Sequence, residues 1–367
     1  MIEVKGKFNN AIIYTDNVEE KAKNQIKTLC DQWFVKDSKI RIMPDVHYGI
    51  GCTIGTTMTI DDKIVPNLVG VDIGCGMEVI RLKNRKLDLK KLDELIYKRV
   101  PSGFNVRRGY HKFNEKIDLK KLKCANKLKL DRARKSIGTL GGGNHFIEAN
   151  KDSRENIYIV VHSGSRHLGY EVARLYQRKA QNVLRGHKDI PKTLAYVSGE
   201  LFDDYIHDMK LVQYFAELNR KAMLNEIIRG MNLEIAEQFT TIHNYIDTEN
   251  MILRKGAVSA QEGEKLIIPI NMRDGSLICI GKGNQEWNFS APHGAGRIMS
   301  RRQAKASFSL KEYKNSMEGI FTTSVNRRTL DECPQAYKPI DEITRNIHDT
   351  VEIVDRIIPI YNYKAGD

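Results

Sequence analysis

The sequence predicts an α+β fold in which β-sheets flanked by helices surround a central cleft. Three observations point there. Between residues 39 and 82 the chain is rich in glycine and β-branched side chains, as in GCTIGTTMTI and KIVPNLVGVDIG, which read as strands with tight turns. Residues 169–184 and 204–231 instead carry apolar side chains at helical spacing. No internal repeat or low-complexity linker divides the 367 residues, so a single unit over 1–367 is expected.

Taken in order, Asp16 followed by Glu19 resembles a capping box that opens a helix toward Leu29 and Trp33. VPNLVG, at 65–70, reads as strand-like. Residues 157–161 form a short apolar strand that delivers His162 at its end. His243 falls in a helix-like stretch. Residues 265–280 read as two strands around the turn Arg273-Asp274-Gly275. A helix is expected after His293, and another from Glu342 toward Ile357. Residues 82–137 are basic and partly helical, punctuated by Tyr97, Phe104, Tyr110 and Phe113, and read as an insertion. Such a stretch suits either a solvated helical surface or a surface that displaces counterions from a phosphate backbone.

Lys plus Arg number 59 and Asp plus Glu 46, a formal charge of +13. With 41% hydrophobic and 29% charged residues the chain has the composition of a folded globular protein. No apolar run reaches the roughly 18 residues that a membrane span needs. The opening MIEVKGKFNN has no basic segment followed by an apolar one, so a cytoplasmic protein with no membrane attachment is expected. Six cysteines lie far apart with no C-x-x-C pair, which excludes a zinc ribbon and a dithiol redox motif.

Polar clusters interrupt the apolar runs. Val71-Asp72-Ile73-Gly74-Cys75-Gly76 offers one hard and one soft anionic ligand on a flexible backbone. Gly141-Gly142-Gly143-Asn144-His145-Phe146 presents His145 from a glycine turn, and Val161-His162-Ser163-Gly164-Ser165-Arg166 presents His162 from a strand end. Thr241-Ile242-His243 and Pro292-His293-Gly294-Ala295-Gly296-Arg297 complete the set. Asp72, Cys75, His145, His162 and His243 are too many ligands for one tetrahedral ion and suggest two divalent metals, with a thiolate able to bridge. His293 is then spare, near Arg297 and Arg301. A neutral imidazole, with its reference pKa of about 6.5, could attack phosphorus there. His111, His187, His207 and His348 lie in polar, charged surroundings and read as surface or structural, with His167 intermediate.

Standard nucleotide motifs do not fit. Gly275 and Gly281-Lys282 enclose five residues rather than four, and Gly283 follows where Ser or Thr belongs. No G-x-G-x-x-G fingerprint occurs. The nearest approach to a K-x-D-G ligase lysine is Met272-Arg273-Asp274-Gly275, which lacks the lysine.

Met43-Pro44-Asp45-Val46-His47, VGVDIGCGM, GGGNHF, VHSGSR and HGAGR, in this order, resemble the RtcB family of RNA ligases. The likeness runs from about Arg41 to Lys364. It implies a single catalytic domain with a central metal-containing cleft. It also implies joining of an RNA 3′-phosphate or 2′,3′-cyclic phosphate end to a 5′-hydroxyl end, in tRNA splicing or RNA repair, with GTP and two Mn²⁺ ions as cofactors. By the same resemblance Asp72, Cys75, His145, His162 and His243 match metal ligands, and His293 matches the histidine that is guanylylated. Asn144, Glu148, Tyr337 and Lys364 match guanylate contacts, Arg166 and Arg301 match phosphate-holding arginines, and Asp45 matches an active-site aspartate. The chain departs from the family's P-G-S-M-G type segment, reading Pro269-Ile270-Asn271-Met272-Arg273-Asp274-Gly275, and has His167 where a glycine is usual. The expected partner is RNA, with room for an activating protein. The alternatives are a metal-dependent cyclic phosphodiesterase that does not ligate and a non-catalytic RNA-binding module.

Overall fold

The computed structural model describes residues 1–365. Two large sheets carry the chain. One has six strands in the order Ile2–Lys5, Asn10–Ile13, Ile40–His47, Ile54–Thr59, Ile252–Lys255 and Asn244–Asp247. The other has seven, in the order Ile235–Ile242, Gly76–Leu82, Ile157–Ser163, Phe146–Lys151, Val351–Lys364, Gly275–Gly281 and Lys265–Asn271. Every neighbouring pair of the seven is antiparallel. The α+β reading of the sequence is therefore correct. No helix among the described residues is long and apolar enough to cross a membrane.

The helix Glu200–Met231 forms because its sequence holds no proline, and no glycine before Gly230, among strong helix formers such as Leu, Met, Ala, Lys and Glu. It ends where Asn232 turns left-handed at φ 51°. Its Asn219 and Arg220 are wholly buried, although polar. Asn219 accepts from the amides of Gly138 and Thr139 and donates to Gly164 O, while Arg220 donates to Gly74 O at 2.7 Å and Ser163 O at 3.1 Å. The helix thus holds three functional loops by their backbones, satisfying groups that burial would otherwise leave unpaired.

Four local expectations change. The helix near the N-terminus runs Glu20–Cys30 and is entered through Glu19 with no side-chain cap, so the Asp16/Glu19 box does not form; Trp33 lies beyond it, in a one-turn 3₁₀ segment. VPNLVG is not a strand, because Pro66 starts a helical turn, Pro66–Val69. The expected helix at 342–357 is short, Ile340–Thr344, and the remainder is the strand Val351–Lys364. Its β-branched residues fit a pleated surface, and Pro359, lacking an N–H, sits where the ladder shifts register. The helix expected after His293 begins only at Arg301, behind the capping box of Ser300 and Gln303.

Within residues 82–137, the helix Leu89–Arg99 packs Leu92 and Ile96 into a core with Met223 and Ile227. Leu119, Leu122 and Cys124 enter a second core beneath the six-stranded sheet. The basic side chains of this segment are carried on an apolar underside.

Candidate active site

Four chemically distinctive residues sit at one end of four neighbouring strands. His243 follows Ile235–Ile242, Cys75 precedes Gly76–Leu82, His162 lies near the end of Ile157–Ser163, and His145 precedes Phe146–Lys151. Antiparallel register brings these ends together: Gly76 lies opposite Ile242 and Ser163, and His162 lies opposite Met77 and Phe146. His243 is not helical, as the sequence suggested. It joins one large sheet to the other, with its amide on Cys75 O at 2.9 Å. Lys364 lies opposite Phe146 on the next strand, so it reaches the same end of the sheet.

The candidate ligand atoms form two trios that share Cys75. One is Cys75, His162 and His243, the other Asp72, Cys75 and His145, and within each trio all atoms lie within 4.8 Å of one another. The Cys75 sulfur is 3.4 Å from Nε2 of both His145 and His162, and His145 Nε2 is 3.0 Å from Asp72 Oδ2. These contacts are of the length that ligands of a common cation adopt. His145 donates from Nδ1 to Leu140 O at 2.9 Å, and His162 from Nδ1 to Asn144 O at 3.2 Å, which aims both Nε2 atoms at the sulfur. His243 Nδ1 is buried with no hydrogen-bond partner, an orphan that a metal would satisfy.

The electrostatics agree. Burial, reinforced by neighbouring imidazoles, drives His162 and His243 well below the ordinary histidine range, so both are neutral. Burial and the Asp72 carboxylate push the Cys75 thiol well up, so a thiolate there requires a cation. Burial would raise Asp72, but the His145 hydrogen bond and charge outweigh it and bring it to about 2. Gly164 is required beside this carboxylate, since a Cβ there would come 2.2 Å from Asp72 Oδ1. The donor set, two trios that share one sulfur, fits divalent metal.

His293 stands against this centre, its ring 4.8 Å from that of His243. Its Nδ1 lies 2.6 Å from Oδ2 of Asp45, a wholly buried carboxylate on Ile40–His47. A carboxylate only accepts, so Nδ1 carries a proton, and in the neutral ring Nε2 is the nitrogen with the lone pair. Gly296, at φ 75°, lets this loop pass over Asp45: a Cβ would come 2.4 Å from Asp45 O. His47 donates from Nδ1 to Asp45 O at 2.9 Å and lines the cleft in front of His293.

That cleft has a volume of about 240 Å³, and Asn144, Glu148, Tyr337, Lys364 and Arg301 all line it. Burial raises Glu148 to about 7, so near neutrality it is present both as acid and as carboxylate. Pro269, Ile270, Asn271 and Met272 form another wall. Arg273 does not: it turns to Asp274 at 2.9 Å, so only Ile270 among the bulky departures touches the cleft. Arg166 also lies elsewhere. It donates to Gly103 O at 2.9 Å and borders a separate cleft on the far side of the glycine turn.

Glu332 and His47 are the residues that sequence reasoning passed over. His47 was in view within the MPDVH motif, whereas Glu332 sits in a segment where only Tyr337 stood out. Glu332 accepts from Tyr337 Oη at 2.7 Å and pairs with Lys364, with Arg297 at 3.4 Å and with Arg301 at 3.8 Å. Burial opposes its ionisation, yet Lys364 and Arg301 prevail and hold it at about 2, against 4.5 for an ordinary glutamate. A carboxyl depressed on folding contributes stability that is complete above pH 4.5 and lost as the pH falls toward 2. Glu332→Gln is therefore expected to cost about 3–5 kcal/mol near neutrality, because buried cations lose their partner. The deficit should vanish on acidification through that window, as urea unfolding at a series of pH values would measure.

A family model described as "tRNA-splicing ligase RtcB" matches residues 25–365. The chain is 33% identical to the RNA-splicing ligase RtcB of Escherichia coli strain K12 over 382 positions, covering 92% of each chain. It is 28% identical to the tRNA-splicing ligase RtcB of Aeropyrum pernix, covering 92% of this chain and 91% of that one.

Proposed function

The chain belongs to the RtcB family of RNA ligases, and on that premise we propose that it joins RNA 3′-phosphate or 2′,3′-cyclic phosphate ends to 5′-hydroxyl ends at the expense of GTP. The reaction passes through GMP carried on His293 and serves tRNA splicing or RNA repair in the cytoplasm. In this reading residues 1–367 are one catalytic domain with 82–137 inserted in it. The observation that carries the reading is the approach of an Asp45-oriented imidazole to within 4.8 Å of the His243 ring, one of the side chains grouped around Cys75.

Asp72, Cys75, His145, His162 and His243 would hold two Mn²⁺ ions. Such ions, when bound, neutralise phosphate charge as Lewis acids and lower the pKa of water. The chain's own residues do the rest. His293 Nε2 attacks the α-phosphorus of GTP; the N–P bond forms as the bond to pyrophosphate breaks, and the positive charge that develops on the ring is balanced by Asp45. Asn144, Glu148, Tyr337 and Lys364 surround the guanylate in the 240 Å³ cleft. An oxygen of the RNA 3′-phosphate then takes the GMP and the electron pair returns to Nε2. The 5′-hydroxyl attacks the activated phosphate, loses its proton and expels GMP. Arg301, with Arg166 from the neighbouring cleft, holds the phosphate of the RNA end.

The test is incubation with α-labelled GTP and Mn²⁺ in the absence of RNA. A covalent, acid-labile adduct is expected. A protein that opens cyclic phosphate ends but never acquires label would instead be a phosphodiesterase, and one that only binds RNA would be a binding module.

A further inference from the structure

The basic segment 82–137 takes no direct part in the centre described above, but one side of it borders that centre. Phe104 is 85% exposed, and its carbonyl accepts from the Arg132 guanidinium at 2.9 Å. Both line a cleft of about 220 Å³ together with Arg166 and His167. Only the glycine turn separates this cleft from the ligands: Gly142 forms its wall, while Asn144 and His145, just beyond, face the guanylate cleft and the metal trios. Ser165, next to Arg166, donates its amide to Asp72 at 2.8 Å. Along the helix Arg166–Val183, His167 stacks on Tyr170 with ring centroids 5.7 Å apart. Arg174 lies over the Tyr170 ring at 5.3 Å and donates to its hydroxyl at 2.7 Å. Glu171 lies 3.7 Å from His167 Nε2 on the same helix. Aromatic and cationic side chains therefore alternate along a strip that leads to the centre.

We propose that this strip is the path of a single-stranded RNA segment entering the active site, with bases stacking on Phe104 and Tyr170 and phosphates passing Arg132 and Arg174. The inference rests on the ligase reading and extends it to the substrate's route. A phenylalanine so exposed gains little from water, whereas a nucleobase offers a flat apolar face of matching size. Flanking guanidinium groups supply the counter-charge that each phosphate requires. A duplex keeps its base faces stacked internally and would gain nothing from Phe104.

Fluorescence anisotropy with a short, labelled, single-stranded RNA bearing a 3′-phosphate tests the proposal. Phe104→Ala should weaken binding about tenfold, and Phe104→Trp should restore it. Arg132→Ala should weaken binding and reduce the slope of log affinity against log salt by about 1. GTP labelling without RNA, in the same preparations, should match the wild type, because neither side chain lines the guanylate cleft. Wild-type affinity in Phe104→Ala, or equal affinity for a duplex of the same length, overturns the inference while the ligase reading stands. Loss of labelling together with binding also overturns it, since Phe104 would then be acting through the fold. Absence of label from the wild type overturns the ligase reading instead.

Discussion

His293→Ala protein is expected to carry no covalent nucleotide after incubation with labelled GTP and Mn²⁺, whereas the wild type approaches one GMP per chain. The effect is total because no other imidazole among those lining the cleft is oriented by a buried carboxylate. His47 is the nearest candidate, but its Nδ1 is held by a main-chain carbonyl, which cannot balance a positive ring. Asp45→Asn separates orientation from nucleophilicity. An asparagine retains the shape yet withdraws the negative charge that balances the guanylylated ring, and its amide can present a donor to Nδ1. By comparison with other imidazoles that rely on a carboxylate, labelling should slow by about 10²- to 10⁴-fold without loss of bound metal. Rapid-quench labelling and metal analysis on the same samples check both statements. Full-rate labelling of His293→Ala would rule out His293 as the nucleophile.

Removal of Cys75 should have the second-largest effect. Its sulfur belongs to both trios, so Cys75→Ala is expected to reduce bound Mn²⁺ from two ions per chain to fewer than one and to abolish ligation. His145→Ala breaks one trio only and should leave about one ion. Equilibrium dialysis followed by elemental analysis distinguishes the two. Metal binding to the native state also raises stability by mass action, so the wild type should gain several degrees in thermal midpoint with Mn²⁺ and lose them on chelation. Cys75→Ala should show no such response. Burial of an uncompensated thiolate is costly, so without a cation Cys75 is held as the neutral thiol.

The kinds of residue in the site are legible in the sequence. Glycine-flanked Asp72, Cys75, His145, His162 and His293 stand out from apolar surroundings because a folded chain tolerates buried polar groups only where something satisfies them. The helix read over 204–231 is equally plain, since its apolar spacing persists for many turns; the structure extends its start to Glu200. The strand at 351–364 is not. Its run of isoleucine and valine suits either period, and it becomes a strand through the edges offered by residues 146–151 and 275–281.

What the sequence determined by itself is the inventory: five candidate ligand side chains, a spare histidine, and the glycines beside them. Tertiary structure alone decided the arrangement. Residues 75, 145, 162 and 243 meet because antiparallel register aligns four strand ends, and such register is a property of hydrogen bonds between distant segments. Packing of distant helices and loops brings Glu332 between Lys364 and Arg301, sets Arg166 in a neighbouring cleft, and turns the Asp45 carboxylate toward His293. Local residue patterns carry no record of these contacts, because each depends on where the opposite strand or loop comes to rest.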